Sequence, residues 1–441
     1  MSSRSLHFLV NIGGAGYHPA AWREDGQEPD AFVSLDHYVR AALVAERGLL
    51  DGLLFPDIPV QQPGIARAPA ATLDPTLLTS AISVSTSHIG LIPTASTSLN
   101  RPYNLARRIL SLDHVSGGRA GWNAVTTFEP RAAQNFGIES LPDRDERYRR
   151  AAEFVEVTFG LWDSWEDGAL VGDQEGARFA DPDKVHALGH EGEFYSVQGP
   201  LNVTRSPQGR PVLVQAGSSP QGVEFASRHA EVIYGTQYSL TGAKSFSDAV
   251  GRGAEAAGRR RSDMKILPGL VPVLGSTEAE ARAKFDRLQS RLHPDSDAFT
   301  SFARWLGFDP ADLDIDAPLS PEHRNLPANR VGPQGFFSTL ASFAEETGAT
   351  VRELLAQFLG GHRVVAGTAE SIADHIETWW RSELVDGFTV VPAVLPTSLE
   401  EFVDEVVPIL QKRGLFRSEY GARTLRGNLG LEEPANLFTH R

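Results

Sequence analysis

Short apolar runs alternate with amphipathic, helix-like stretches along most of this chain. The apolar runs are rich in Val, Ile and Leu, which is typical of buried strands. Eight of them are predicted strands: LHFLVNI, DGLLFPD, HIGLIPTAS, RAGWNAVTT, RPVLVQAG, EVIYG, MKILPGLVPVLG and DGFTVVPAVL. Helix-like runs such as LDHYVRAALVAERG, PYNLARRILSLDHV and SPQGVEFASRHA follow strands. In DERYRRAAEFVEVTFGLWDSW, apolar residues recur every three or four positions, so one helix face is apolar.

Eight strands that alternate with helices predict an α/β fold, a (β/α)₈ TIM barrel, because open doubly wound sheets usually have about five or six strands. Such a barrel needs roughly 250 residues, and this chain has 441. We therefore expect a single barrel domain, 1–441, with insertions at about 59–73, 167–202 and 292–364, the largest between strands seven and eight. Residues 415–441 are expected to form a C-terminal arm.

The composition narrows the functional classes. The 56 acidic and 41 basic side chains give a net charge of −15, which argues against a general nucleic-acid binder. The chain has no cysteine, which excludes disulfides, thiolate catalysis and cysteine-ligated metals. The start of the chain lacks the apolar core of a signal peptide, and no run of about 18 apolar residues occurs, so we expect a cytoplasmic protein without a membrane partner.

Polar and small residues gather where the predicted strands end. The C-terminal ends of the strands carry the chemistry in barrels of this kind. The residues found there are Asn11, Gly13, Gly14, Tyr17, His18, Trp22, Asp57, Thr94, Ser96, Thr97, Asn123, Thr126, Thr127, Gly217, Ser218, Ser219, Tyr234, Gly235 and Gln237. The sequence has no neighbouring carboxylate pair typical of a glycosidase, and no HExxH, GxSxG or GxxxxGK[ST] motif. We therefore expect neither a metal site nor a nucleophilic triad.

Two glycine-rich stretches have different interpretations. In SGGRAGWNAVTT (116–127), the first three residues end a helix and the rest forms strand four, with Arg119 at the bottom of the barrel in a stabilising role. In QAGSSPQG (215–222), Ser218 or Ser219 is a candidate N-cap, and Pro220 suits the first helical position. The N–H groups of such a helix start favour a phosphate. The residues alone leave this and an ordinary cap equally open.

Several motifs together resemble the bacterial-luciferase-like, flavin-dependent monooxygenases. They are LDHVSGGRAGWNAVTT (112–127), DERYRRAAEF (145–154), QAGSSPQG and the C-terminal runs DGFTVV and VVPILQKRGLFRSEYGARTLRGNLGL. The chain looks most like the branch named for nitrilotriacetate monooxygenase, pristinamycin synthase and dibenzothiophene-sulfone monooxygenase. The resemblance implies a TIM barrel that receives reduced FMN from a separate NAD(P)H:flavin reductase, activates O₂ as a flavin peroxide and oxygenates a small organic substrate. It also implies a homodimer or homotetramer.

The resemblance implies which residues lie beside the flavin ring. Asp57 and Thr94 would flank the ring, and Asn123 and Thr126 would lie near the ring or the ribityl chain. Each has a plainer alternative, because Asp57 could cap a loop and threonine is common in ordinary strands.

The same resemblance implies a phosphate site. Tyr148 and Ser218 or Ser219 would hold the phosphate. The family usually has a histidine four residues before that tyrosine, and this chain has Arg144 there. Arginine still pairs with phosphate at any pH, but it removes a neutral imidazole from that position. The alternative is that Arg144 is a surface charge.

Tyr17, His18 and Trp22 follow strand one and are expected to line the substrate pocket. His18 and Asn123 are the candidate catalytic residues, although a lone histidine is more often structural. Two other functions stay open, a non-catalytic FMN-binding barrel and a deazaflavin-dependent oxidoreductase. The GRAGWNAVTT block favours the FMN branch over the deazaflavin branch.

Overall fold

The computed structural model describes residues 4–61, 65–66, 69, 73–292, 298–306, 308–324, 334–359 and 361–439. The strands, numbered in chain order, are β1 (His7–Asn11), β2 (Gly52–Phe55), β3 (Gly90–Ser96), β4 (Gly121–Val125), β5 (Leu170–Asp173), β6 (Arg178–Ala180), β7 (His190–Glu191), β8 (Ser196–Val197), β9 (Val212–Ala216), β10 (Val232–Tyr234), β11 (Lys265–Ile266), β12 (Gly269–Leu274), β13 (Phe358–Leu359), β14 (His362–Gly367) and β15 (Gly387–Val390).

The main sheet curls back on itself. Its strand order is β11-β10-β9-β4-β3-β2-β1-β15-β12-β14-β13, and all neighbours are parallel except β13 and β14. Because β11 and β12 belong to one short run, residues 265–270 join the two sides of the sheet. Leu267 N–H donates to the carbonyl of Ile233, and Thr389 N–H donates to the carbonyl of Pro268. The α/β class and the TIM-barrel-like architecture are thereby confirmed.

The helices cover the outside of this sheet. They are α1 (Leu35–Arg47), α2 (Pro75–Ser83), α3 (Pro102–Ser116), α4 (Pro130–Gln134), α5 (Arg144–Trp162), α6 (Pro220–His229), α7 (Leu240–Ala256), α8 (Glu278–Ser290), α9 (Ala298–Leu306), α10 (Pro321–Arg324), α11 (Gln334–Thr347), α12 (Val351–Ala356), α13 (Ala369–Arg381), α14 (Thr397–Glu401), α15 (Val407–Lys412) and α16 (Leu425–Asn428). A π-helical segment, Phe402–Val406, precedes Pro408, where the sequence predicts a kink. No helix within the described residues is long and apolar enough to cross a membrane.

The interior of the curled sheet changes from apolar to polar along the strands. Leu9, Ile92 and Val232 belong to the apolar cluster inside it. Side chains on a strand alternate, so the residue two positions further on faces the same way. Those next inward residues are Asn11, Thr94 and Tyr234. The C-terminal ends of the strands therefore carry a buried polar layer above an apolar one.

The C-terminal segment closes the opposite end of the barrel. Leu425, in α16, packs with the interior apolar cluster. A Cβ added at Gly90 would lie 2.4 Å from Leu425 Cδ1 and 2.9 Å from the backbone carbonyl oxygen of Asp51, so a glycine is needed there. Arg426 is buried and donates to both carboxylate oxygens of Glu231 at 2.5 and 2.9 Å. The residues expected to form an arm thus pack against the amino ends of the strands.

The helix end in SGGRAGWNAVTT is as predicted. Gly117 and Gly118 have φ angles of +70° and +89°, which glycine adopts without strain and which end α3. Arg119 is 3% exposed and donates to the backbone carbonyls of Ser83, Thr86, Ile89 and Ser116. Its guanidinium therefore ties the turn after α2 to the start of strand four, which is the stabilising role expected from the sequence.

Some elements were not predicted from the sequence. Helix α2 has no counterpart among the predicted elements, and β14 (His362–Gly367) begins within the expected insertion 292–364. The structure pairs β14 with β12, from Leu270 opposite Arg363 to Leu274 opposite Gly367. The hairpins β5–β6 and β7–β8 fall within the expected insertion 167–202. Parts of the expected insertions 59–73 and 292–364 lie outside the described residues.

Candidate functional site

Two inward-facing side chains on neighbouring strands form one wall of the polar layer. Thr94 on β3 lies opposite Asn123 on β4 in the parallel register, and the Asn123 Nδ2 donates to Thr94 Oγ1 at 2.8 Å. Both residues are buried. The Asn123 Oδ1 is buried too, and it has no hydrogen-bond partner in the described part of the chain. A buried amide oxygen rarely stays unsatisfied, so this atom indicates a missing donor.

A small cavity opens where β2, β3 and β4 end. Its volume is about 90 Å³, and it is lined by Asp57, Ile58, Pro59, Ser96, Val125, Thr126, Thr127, Phe128 and Glu129. Ser96 and Thr127 share a 2.6 Å hydrogen bond through their hydroxyl groups. Burial, followed by repulsion from Asp74, raises the pKa of Asp57 to about 6. Two predicted ring-side residues, Asp57 and Thr126, therefore line one cavity.

The start of α6 is built for an anion. Ser219 is its N-cap and accepts from the Gly222 N–H at 3.1 Å, and Pro220 is the first helical residue, as predicted. A Cβ added at Gly222 would lie 3.1 Å from the Tyr148 hydroxyl and 3.2 Å from Ser219 Oγ. The Gln215 Nε2 is 3.5 Å from the same point. Three polar groups from β9, α5 and α6 thus converge on the end of a helix whose dipole favours negative charge.

The start of α5 adjoins the start of α6 and carries two arginines, Arg144 and Arg147. Arg144 is the first residue of α5, one turn before Tyr148. Burial, followed by repulsion from Arg144, lowers the pKa of Arg147. Gln221 of α6 donates to Asp145 of α5 at 3.0 Å, which joins the two helix starts. The predicted phosphate residues Arg144, Tyr148 and Ser219 are therefore brought onto two adjoining helix ends.

Ser218 is placed differently from Ser219. A Cβ added at Gly235 would lie 3.4 Å from Ser218 Oγ, so the Ser218 hydroxyl faces the end of β10. Ser219, in contrast, caps α6. Of the two serines that the sequence left open, the N-cap is Ser219.

A second polar wall was missed in the sequence. Asn11 Nδ2 donates to the Tyr234 hydroxyl at 3.1 Å, and that hydroxyl bonds with His362 Nε2 at 2.7 Å. The three residues are 2%, 7% and 1% exposed. The Tyr234 and His362 rings are stacked, with centroids 5.1 Å apart. Asn11 and Tyr234 follow from the inward-facing alternation, whereas His362 lacks any sequence signal because β14 was not predicted.

The expected substrate residues lie in the loop after β1. Tyr17 meets His362 edge to face at 5.6 Å, and burial raises its pKa. His18 is buried against Phe285 of α8, and burial lowers its pKa to about 4. Tyr17 and Trp22 both pack against an apolar cluster that includes residues of β12, β14 and α8.

Only part of the predicted set is therefore brought together. Tyr17 adjoins the second polar wall, whereas the ring contact of His18 is with Phe285 in the outer layer. The other candidate catalytic residue, Asn123, lies on the first wall with Thr94. Within the described residues no group of three or more His, Asp or Glu side chains could hold a metal.

Comparison with known proteins places these features in context. The family model described as "Luciferase-like monooxygenase" matches residues 10–387. The N-acetyl-S-(2-succino)cysteine monooxygenase of Bacillus subtilis (strain 168) is 41% identical over 438 residues, 99% of this chain and 98% of that protein. Nitrilotriacetate monooxygenase component A of Aminobacter aminovorans is 41% identical over 447 residues, 98% of this chain and 97% of that protein.

A solved structure is similar over the whole length. Riboflavin lyase, crystallised with modified FMN and riboflavin, superposes with a TM-score of 0.84 at 33% identity. The superposition covers 98% of this chain and 97% of that one. Sequence and fold comparisons therefore cover the barrel, the polar layer and the C-terminal segment together.

Proposed function

The chain belongs to the luciferase-like monooxygenase family of flavin-dependent enzymes, and from this premise we propose that it is the FMN-dependent oxygenase component of a two-component system. A separate NAD(P)H:flavin reductase supplies the reduced FMN, and O₂ is the co-substrate. The observation that carries the proposal is the convergence of Tyr148, Ser219 and Gln215 on the start of α6. The nitrilotriacetate relative is itself named as one component.

The residues present fit FMN. The start of α6, with Ser219, Tyr148 and Arg144, would hold the phosphate, because backbone N–H groups, a hydroxyl and a guanidinium are phosphate donors. Asn123 Oδ1 and Gln215 Oε1, which have no hydrogen-bond partner among the described residues, are acceptors for hydroxyl or ring N–H groups. When bound, reduced FMN supplies the two electrons that let one atom of O₂ enter the substrate and the other leave as water.

Around the cofactor, residues of this chain would orient an amide group, exclude water and supply one carboxyl group. Thr94 holds the Asn123 amide by its Nδ2, which fixes the direction of the carbonyl oxygen. Asp57, with a pKa of about 6, holds a proton on its carboxyl group below that pH and accepts one above it. The apolar cluster below the polar layer keeps water out from the other end of the barrel.

We propose further that the segment between β12 and β14 is an insertion that acts as a wall or lid of the mouth. Its apolar cluster includes Phe302, Leu306 and Leu340, and it also takes in Tyr238 from the loop after β10. Glu346 of α11 accepts from Ser239 Oγ at 2.7 Å and from Thr241 Oγ1 at 2.9 Å. The segment is therefore fastened to a loop at the carboxyl end of the barrel.

For the substrate, we propose a small polycarboxylate with a carbon–nitrogen or carbon–sulfur bond beside its carboxylates. The support is the printed names of two relatives that are each 41% identical, N-acetyl-S-(2-succino)cysteine monooxygenase and nitrilotriacetate monooxygenase component A. Both names denote compounds of this chemistry. Assays with these two compounds and with an uncharged sulfone are the first choice.

The function is tested by supplying photoreduced FMN anaerobically and then ¹⁸O₂ with each substrate. We expect one ¹⁸O atom in the product and a Kd for reduced FMN that is measurable by fluorescence quenching. Release of all the oxygen as hydrogen peroxide with every substrate would contradict the proposal and favour a non-catalytic flavin-binding barrel. A parallel titration with the deazaflavin cofactor separates FMN use from deazaflavin use. Light scattering tests the proposed homodimer or homotetramer.

A further inference from the structure

The hydrogen-bond order of the second polar wall follows from the placement of the Asn11 amide, whose nitrogen faces the Tyr234 hydroxyl. Burial lowers the pKa of His362 to about 3 and raises that of Tyr234 well above its ordinary value. At neutral pH, both side chains are therefore uncharged. A neutral imidazole has one donor nitrogen and one acceptor nitrogen.

The Tyr234 hydroxyl has a single proton to give. Its oxygen accepts from Asn11 Nδ2, and its second contact is His362 Nε2. The proton consequently points to Nε2, so His362 carries its own proton on Nδ1. If the Asn11 amide were turned over, the Tyr234 hydroxyl would have to donate to the Asn11 oxygen and accept from a protonated His362 Nε2. The orientation of the Asn11 amide and the tautomer of His362 are therefore linked, and the amide nitrogen that faces Tyr234 in the structure requires the His362 proton on Nδ1.

This orientation of the Asn11 amide leaves its oxygen atom without a role inside the network. Asn11 Oδ1 is buried and has no hydrogen-bond partner among the described residues. Asn11 is the last residue of β1 and faces inward two positions after Leu9, in the same polar layer as Thr94. An unpaired buried acceptor destabilises the protein, and a ligand with a matching donor removes that cost.

We propose that Asn11 Oδ1 accepts a hydrogen bond from an N–H or O–H group of the molecule bound in the barrel mouth, and that Tyr234 and His362 are positioning residues that hold the amide in this orientation. The inference rests on the proposed function, because the donor belongs either to the substrate or to reduced FMN. Reduced FMN has ring N–H groups that oxidised FMN lacks, so the two sources are separable by experiment.

The test uses two variants of the full chain. Asn11→Leu removes the acceptor at similar volume, and Tyr234→Phe keeps Asn11 and the stacked ring but removes the hydroxyl that links the amide to His362. Tyr38→Phe is the matched control, since Tyr38 is also buried and its hydroxyl donates to the Phe32 carbonyl in the outer layer. The probes are oxidised FMN, reduced FMN, N-acetyl-S-(2-succino)cysteine and the same compound methylated on its amide nitrogen.

If the donor is the substrate amide, both variants raise KM for the N–H compound about tenfold and leave the methylated compound and both flavin Kd values within about twofold. If the donor is reduced FMN, only its Kd rises about tenfold. Either result supports the acceptor role and identifies its source. Changes within about twofold for every probe, or an equal effect of Tyr38→Phe, would overturn the proposal.

A readout without catalysis separates this inference from the proposed function. With ¹⁵N-labelled histidine, NMR of the wild-type chain should show His362 protonated on Nδ1 and unchanged between about pH 5 and 9, whereas Tyr234→Phe should lose the single tautomer. A proton on Nε2 in the wild type would overturn the inference even if the enzyme is active. Failure of the wild type to bind reduced FMN would instead count against the proposed function.

Discussion

Asn123 and Thr94 face each other across β4 and β3, and the Asn123 Nδ2 donates to Thr94 Oγ1 at 2.8 Å. The same amide leaves its oxygen unpartnered in the described structure. A threonine that could pass for an ordinary strand residue thus orients the amide of a candidate catalytic residue. The pair also links stability to binding, because breaking it leaves a second polar atom of Asn123 unsatisfied.

Thr94→Val should therefore destabilise the apoprotein by about 1–3 kcal/mol, the cost of a buried donor without a partner. Urea unfolding measures this change. Thr158→Val is the matched control, since the Thr158 hydroxyl only adds a bond to the Phe154 carbonyl within α5. Equal destabilisation by the two variants would show that the Asn123–Thr94 bond contributes no more to stability than a hydroxyl–carbonyl bond within a helix.

Tyr148→Phe should weaken FMN binding about tenfold and leave riboflavin binding unchanged, because riboflavin lacks the phosphate that the hydroxyl would contact. Fluorescence titration of the apoprotein with both flavins measures the difference. Tyr103→Phe is the control, since both tyrosines are half-buried in the same apolar cluster. An equal loss for FMN and riboflavin would place the hydroxyl away from the phosphate.

Arg144→Ala should also weaken FMN binding, by about tenfold, and the loss should shrink as salt is added, because charge-assisted contacts at an accessible site are screened. The control is Arg149→Ala, which lies on the same helix but pairs with Glu193 at the surface. Titrations at two salt concentrations give the comparison. If both variants bind FMN like the wild type, Arg144 is the surface charge of the plainer interpretation.

Leu425→Ala should cost about 2–5 kcal/mol in the free energy of unfolding, because it leaves a cavity inside the end of the barrel. The tight fit against Gly90 leaves little room for neighbours to collapse into the space. Leu437→Ala is the control, since Leu437 is 47% exposed in the same C-terminal segment. Similar values for both variants in urea would mean that α16 does not close the barrel.

Most strands of the curled sheet could be predicted from sequence because buried parallel strands are continuous Val, Ile and Leu runs. The caps of α3 and α6 were predictable for the same local reason, since Gly117 and Ser219 act within a few residues of themselves. The wall of Asn11, Tyr234 and His362 was not predictable. It joins residues 223 and 128 positions apart, and only the curl of the sheet brings them together.

His18 shows what the position of a residue after a strand does not determine. Position after β1 predicts a residue at the barrel mouth, and the structure shows the imidazole of His18 in contact with the ring of Phe285. That contact involves α8, which is more than 250 positions away in sequence and could not be paired with the loop from the sequence. A strand end therefore indicates the level of a side chain in the barrel but not which residues a loop side chain packs against.

Asp57 gives a prediction about pH. Its pKa is raised to about 6, against 3.8 ordinarily, so between these values the folded chain binds more protons at this site than the unfolded chain. Stability must then fall as pH rises through that window. Asp57→Asn has no such titration. The free energy of unfolding of the wild type, relative to Asp57→Asn, should fall by about 1 kcal/mol from about pH 5 to pH 7.

Urea unfolding of the two apoproteins at several pH values checks this expectation, and comparing them cancels the titration of every other group that the substitution does not touch. The free-energy difference at low pH is an internal control, because Asp57 is mostly protonated in the folded wild type there and little charge is buried. A constant difference across the range would mean that Asp57 is well solvated. FMN should shift the pH range over which the stability difference changes, because a ligand beside the carboxyl group changes its surroundings. A pH range that saturating FMN leaves unchanged would place the flavin ring away from Asp57.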